Sequence, residues 1–228
     1  MENLSRNTET AIARVQRIPI VRTILEIICR STGVGLSAVA RVTPEQWVVC
    51  AVKDNVQFGL VPGSELPIET TFCRDICMTG IEVVFDNVEE DEVYRHHPSP
   101  AMYGFQSYLS VPIGPVAGKY WGTLCGIGLG ASLLNNAPVK NLFKLYANLI
   151  ALHLDAMENK TVAEMEHLEE TTTAALQKQF AKIANHVDDG VDARKLPEQQ
   201  RKAITATVER TVKELQELLS GLNKTLYN

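Results

Sequence analysis

FQSYLSVPIGPVAGKYWGTLCGI, residues Phe105 to Ile127, reads as two strands joined by a turn. Its first half alternates with period two, placing Phe105, Ser107, Leu109 and Val111 on one side and Gln106, Tyr108 and Ser110 on the other. Pro112 is expected to interrupt that ladder, because proline has no backbone N–H to donate. The connection GPVAGK supplies turn residues, and a second apolar run follows from Trp121 to Leu129. Gly122, Gly126 and Gly128 in that run leave room for something to approach the sheet closely. The stretch is therefore a hairpin with one buried face.

Upstream, apolar positions Ile12, Val15, Ile20, Ile24, Leu25, Ile27 and Ile28 recur at helical spacing, and Pro19 divides them into two helical pieces. TGVG at 32–35 stops the second piece. LSAVARVT and WVVCAVKD then read as a second hairpin around the polar turn PEQ. FGLVPGSELPIE has the glycine and proline of an irregular crossing, and Thr70 or Thr71 can cap a short helix that ends at Gly80. Strand IEVVFDNV follows. EEDEVYRHHPSPAMYG is too polar and proline-rich for the core, so it is expected to run over the sheet face as a lid. The elements add up to an α+β fold, six antiparallel strands with helices near both ends.

The stretch LPIETTFCRDICMTGIEVVFDNVEEDEVYRHHPSPAMYGFQSYLSVPI, with its ending SVPIG and the following WGTLCGI, resembles the GAF domains at the front of bacterial sensor histidine kinases. The resemblance runs from about Ile12 to Leu154. It implies a GAF-like antiparallel sheet flanked by helices, with a ligand pocket on one face and a dimer-forming helix layer on the other.

From Pro138 the period becomes helical, through Leu142, Leu145, Leu149, Leu152 and Ala156, and the register continues at Val162, Met165, Thr172, Leu176, Phe180 and Ile183. A single long helix is expected there. DDGVDARKLPEQ makes a turn, and a last helix carries Val208, Val212, Leu215, Leu219, Leu222 and Leu226 on one stripe. This divides the chain into a GAF-like sensor domain over 1–157 and a long helical hairpin or coiled-coil stalk over 158–228. Such stripes must meet another helix, by folding back or by joining a second subunit. A parallel homodimer with a four-helix bundle is the expectation.

The length of 228 residues and a hydrophobic share of 45% allow a sizeable core. A net charge of −5, without a run of basic residues, gives no footprint for nucleic acid. The N-terminus lacks an apolar signal core, and no segment approaches the roughly 18 uninterrupted apolar residues of a membrane span. A cytoplasmic protein with no membrane partner is expected, and the five cysteines fit a reducing compartment.

Phe72, Asp86, Tyr94, Tyr103, Phe105, Ser107 and Tyr108, together with Trp121, offer the aromatic and hydrogen-bonding set of a small-ligand pocket, although aromatics in such a domain are mostly core. His96 and His97 are adjacent, so at most one faces a pocket. In bilin-carrying GAF domains a Cys-His pair sits about this far before the VPI strand, and Arg95 and His96 take those places here. The resemblance thus assigns His96 to the ligand set and argues against a covalent bilin; the cofactor, if any, stays unassigned. Cys73 and Cys77 share a helix face, but no further ligands complete a metal set around them. A thiol-redox enzyme would need a cysteine with a lowered pKa.

FAKIANH, with Phe180 six residues before His186, resembles the phosphoacceptor segment of histidine kinases. His186 is followed by VDDG rather than by that family's acidic residue and Arg/Asn-Pro, and no Gly-rich ATP-binding domain follows Asn228. A non-enzymatic sensor, coupling a small ligand or partner to a dimeric helical output, is the expectation. The alternative is a histidine phosphotransfer protein, or a fragment of a sensor histidine kinase, with His186 as phosphoacceptor and a kinase or response regulator as partner.

Overall fold

Pro19 divides the N-terminal apolar stretch as its missing N–H requires. Helix α1 (Glu2–Gln16) stops before it and α2 (Val21–Thr32) starts after it, ending at Gly33, whose φ of 75° is the left-handed geometry of a helix C-terminus. Strands β1 (Leu36–Val42) and β2 (Trp47–Asp54) pair as the expected hairpin. There follow β3 (Glu65–Leu66), a 3-10 turn at Ile68–Thr70, α3 (Phe72–Thr79) and β4 (Val83–Phe85). A 3-10 turn at Val88–Glu90 and α4 (Pro98–Tyr103) form the lid, which leads into β5 (Ser107–Ile113) and β6 (Gly122–Gly128). Helices α5 (Ala137–Asn159), α6 (Val162–Ile183) and α7 (Glu198–Tyr227) complete the chain. The structure is a computed structural model that describes residues 2–183 and 196–227, with side chains from residue 7 onward.

The strands form one sheet in the order β3-β2-β1-β6-β5-β4, each neighbour antiparallel. The sixth strand, β3, lies inside the segment read as an irregular crossing. Its pairing is confined to Trp47↔Leu66 and Val48↔Glu65, too short to leave a period in the sequence. Pro112 does not break the central hairpin. Strand β4 ends its pairing with β5 at Val83↔Ser110, so Pro112, opposite Thr123 on β6, sits where β5 has become an edge and its absent N–H removes no bond to β4.

The close approaches that the β6 glycines permit are internal. A Cβ on Gly122 would lie 2.1 Å from the Ala40 carbonyl oxygen of β1, and one on Gly126 would lie 3.0 Å from the Phe143 ring of α5. The second contact is what brings the helix layer down onto the sheet.

Beyond Pro138 the structure departs from the single long helix. Helix α5 ends at Asn159, and Thr161 restarts the chain with a reciprocal cap: its hydroxyl accepts from the Glu164 N–H at 3.3 Å, and the Glu164 carboxylate accepts from the Thr161 N–H at 2.9 Å. Helix α6 then folds back along α5, joined to it by His153 Nε2 and Thr172 Oγ1 at 3.1 Å and by the Tyr146 hydroxyl donating to Gln179 Oε1 at 3.3 Å. Helix α7 runs antiparallel to α6, with Lys182 Nζ 2.5 Å from Glu214 Oε1, and its end reaches Asp155 through the Tyr227 hydroxyl at 2.7 Å. Leu168, Leu176 and Ile183 of α6 and Val208, Leu215, Leu222 and Leu226 of α7 are all buried within this one chain. They belong to a core that is continuous with Val15, Ile24, Leu109, Leu124 and Leu142 on the helix side of the sheet. The stripes are thus covered by α2, α5, α6 and α7 of the same molecule and do not of themselves call for a second one. Among the described residues, no helix is long and apolar enough to cross a membrane.

Candidate functional site

The opposite face of the sheet is built differently. Strand alternation sends Leu36 and Ala38 of β1, Tyr108 of β5 and Cys125 and Ile127 of β6 to this side, where α3, α4 and the lid cover them. Phe72, the first residue of α3, stands at the centre. Its ring centroid lies 5.2 Å from Tyr108, 5.4 Å from Tyr94, 5.5 Å from Phe85 and 6.5 Å from Phe105. The His97 ring stacks on Phe72 at 3.9 Å. The edge-to-face and stacked pairings are those that aromatic quadrupoles favour.

Beside this cluster lies a small space of about 40 Å³, bordered by Trp47, Phe58, Leu60, Phe72, Tyr103 and Tyr108. Ligand pockets for drug-sized molecules are usually about 300–1,000 Å³, so the face is closed down around its own side chains. Among the described residues, no Asp, Glu, Lys, Arg or His borders the space. Burial pushes the Tyr108 phenol and the Cys125 thiol well above their ordinary pKa values, which keeps both neutral. Burial also raises Tyr94 and lowers His97, which favours the neutral form of both lid residues that pack onto Phe72. Most polar atoms are satisfied locally. Cys73 Sγ lies 3.4 Å from the Tyr108 hydroxyl and 3.3 Å from Thr123 Oγ1, Tyr103 and Thr70 share a 2.7 Å hydroxyl bond, and the Ser99 hydroxyl donates to the Thr70 carbonyl. The exceptions are Trp47 Nε1 and the Ser110 and Tyr120 hydroxyls, all buried without a partner.

Of the residues expected to line a pocket, Phe72, Tyr103, Phe105 and Tyr108 border this space, and Tyr94 packs onto Phe72 and Phe85 beside it. Phe105 precedes the start of β5, so it escapes the alternation and joins Tyr108 rather than Leu109. The other four expected residues, Asp86, Ser107, His96 and Trp121, lie elsewhere. Asp86, just past β4, accepts the backbone N–H groups of Leu134 at 2.6 Å and Asn135 at 2.8 Å, holding the loop that starts α5. The Ser107 hydroxyl donates to the Gly130 carbonyl at 2.8 Å and lies 3.0 Å from Ser132 Oγ. His96 is exposed, its Nε2 accepting from Arg95 Nε at 3.1 Å. His97 is the histidine that turns inward. Its Nδ1 accepts the Ser99 N–H at 3.2 Å as the N-cap of α4, and Pro98 at the first helical position is the sequence signal that marks it. Trp121 sits on the helix side, under the Arg41 guanidinium at 5.4 Å.

No disulfide joins any of the five cysteines, and four of them, Cys29, Cys50, Cys73 and Cys125, are buried. Burial pushes the Cys50 thiol up to about 11 and raises Cys77, the reverse of what a thiolate nucleophile needs. Among the described residues, no group of three or more His, Cys, Asp and Glu is placed to hold a metal ion. His186 lies outside the described residues.

The model of the GAF domain family matches residues 16–154, more than half of the chain, and the protein belongs to that family. The fold is shared with the blue-light absorbing form of the PixJ GAF domain of Thermosynechococcus elongatus, at 13% identity and a TM-score of 0.50 over 72% of this chain and 94% of that one. The GAF domain region of a putative membrane protein from Geobacter sulfurreducens is 15% identical, with a TM-score of 0.48 over 68% of this chain and 98% of that one. The GAF domain of a two-component sensor histidine kinase from Bacillus halodurans, also 15% identical, covers 55% of this chain and 84% of its own, with a TM-score of 0.42. No curated protein matches the sequence.

Proposed function

We propose that this protein is a sensory module in which the aromatic face of the sheet takes a small neutral ligand or a partner's apolar side chain, and the helical bundle on the other face reads the result. The observation that carries this reading is the two-sidedness of β5. Tyr108 packs against Phe72 on the sensing side, while its neighbours Leu109 and Val111 are buried in the core shared with α5. A ligand that shifts Tyr108 therefore displaces groups on which the bundle rests. Asp86 supplies a second joint, because it follows Phe85 of the aromatic cluster and fixes the loop that begins α5. The uncharged lining favours a flat, mostly apolar molecule, and Trp47 Nε1 offers it one donor.

A space of about 40 Å³ means that binding requires the lid and the 58–66 loop to move outward. A ligand drives that change only by its higher affinity for the open arrangement. Native mass spectrometry of the purified chain identifies a retained molecule, and hydrogen exchange with and without it reads the output. The expected result is altered exchange across Val162–Ile183 as well as the lid, weakened by Tyr103→Ala. Ligand binding with unchanged exchange in that helix would sink the coupling.

A further inference from the structure

Away from the aromatic face, one small cleft carries polar groups that the protein leaves unanswered. It lies where the C-terminal end of α2, the loop entering α5 and the first turn of α7 meet, and its space is about 70 Å³. That is several times the roughly 10–15 Å³ that a single water requires. Ser31 of α2 lines this cleft and is 6% exposed, and its hydroxyl is buried without a hydrogen-bond partner. Arg201 of α7 borders the same cleft, and its Nε–H is buried without an acceptor. A buried donor left unmade is costly, and more so when it belongs to a charged group. Among the described residues, nothing acidic lines the cleft to answer the guanidinium; Glu198, one turn before Lys202 on α7, is paired to it at 2.7 Å.

The backbone adds to the same polarity. Helix α5, 23 residues long, begins at the cleft with Asn136 as its cap, and α7, 30 residues long, has Arg201 in its first turn. The N-terminal ends of two helices therefore bring partial positive charge to the place where the guanidinium already sits. Two unanswered donors and two helix starts outnumber the single helix end that α2 contributes, and with no carboxylate among the described lining residues the cleft favours an anion.

We propose that this cleft binds a phosphate group, held by the guanidinium of Arg201 and the hydroxyl of Ser31. Bound there, the anion ties the first turn of α7 to α2 and to the start of α5, whose entering loop Asp86 holds to the sheet. It thereby favours the docked bundle. This site is independent of whether the aromatic face takes a ligand.

Calorimetric titration of the full chain with inorganic phosphate, at ionic strength fixed with sodium chloride, tests it. A parallel titration with glycerol 3-phosphate distinguishes the free ion from a phosphomonoester as the source. The expected result is saturable binding of at least one of the two and a raised thermal midpoint in its presence. Arg201→Gln should weaken binding about tenfold or more, the size of a lost charge-assisted hydrogen bond, and Ser31→Ala should weaken it several-fold. Circular dichroism checks that the variants stay folded, and Ser31→Ala, which removes a single oxygen, keeps the test open if Arg201→Gln does not. Absence of saturable binding for both titrants, or equal binding in wild type and the folded variants, overturns the proposal.

Discussion

On the helix side of the sheet, Val39, Leu109, Val111 and Leu124 are 0% exposed beneath α2 and α5, and the same core extends outward to Leu176 and Leu215. On the other side, the cover over Leu36, Tyr108 and Cys125 is an eight-residue helix, a six-residue helix and irregular chain, with Phe58, Leu60, Tyr94 and Tyr103 only half buried. The first side is mostly aliphatic and made of helices of 12 to 30 residues. The second is aromatic and made of pieces too short to be stable alone. Long elements with a continuous core open at a free energy near that of global unfolding, whereas short ones with few buried contacts open locally. The sheet is thus fixed from one side and adjustable from the other, which is the asymmetry a sensor requires.

The strongest way to break that comparison is to attack the fixed side. Leu215 of α7 is 0% exposed within the single chain. Leu215→Asp buries an unpaired carboxylate there and should cost about 4 kcal/mol or more, undocking α7 and lowering the urea midpoint sharply. If the helices instead met only across a subunit interface, the same variant would keep its urea midpoint and merely dissociate. Sedimentation equilibrium run beside the urea titration separates the two.

This is also where the sequence was least legible. The apolar positions on either side of residue 160 keep one helical register, and a register records which residues share a face, not whether the chain reverses between them. The reversal was written in Thr161 and Glu164, three residues apart, whose reciprocal cap restarts the helix. The hairpin at 105–127 was readable because alternation and turn chemistry agreed, and Phe105 escaped it only by preceding the strand. In the candidate site the aromatic residues were legible as a set, since strand phase and the start of α3 place them. Asp86 and Ser107 were not, because a polar residue at a strand end serves a loop as readily as a ligand, and only the partners at Leu134 and Gly130 decide.

A weaker probe of the fixed side is pH. His153 is buried between α5 and α6. Thr172 donates its hydroxyl to the Leu168 carbonyl at 2.7 Å and so accepts from His153 Nε2, leaving Nδ1 buried without a partner. Burial pulls its pKa from 6.5 down to about 4. The neutral form is the one the fold accepts, so stability is full above about pH 6.5 and falls as the unfolded chain takes up a proton between pH 6.5 and 4, by roughly 3 kcal/mol. His97 is shifted in the same direction, so the measurement is a difference: urea midpoints of wild type and His153→Gln across that range. The variant should show the shallower dependence. Equal slopes would mean that the α5–α6 seam is already wet.

The smallest effect sharpens the adjustable side, and it turns on two neighbouring residues of the same type. His97 both stacks on Phe72 and caps α4, whereas His96 is exposed and bonds to its neighbour Arg95. Loss of a cap is typically worth about 1 kcal/mol and an aromatic pair about as much. His97→Ala should therefore destabilise by about 1–2 kcal/mol, while His96→Ala stays within about 0.5 kcal/mol of wild type, as exposed substitutions usually do. The location of the effect matters more than its size. Because α4 and Tyr94 belong to the short cover, His97→Ala should raise hydrogen exchange over Glu89–Gly104 and leave the α5–α6 bundle unchanged. An increase spreading evenly into both faces would show that the lid and the bundle open as one unit, and the division between a fixed and an adjustable side would fall with it.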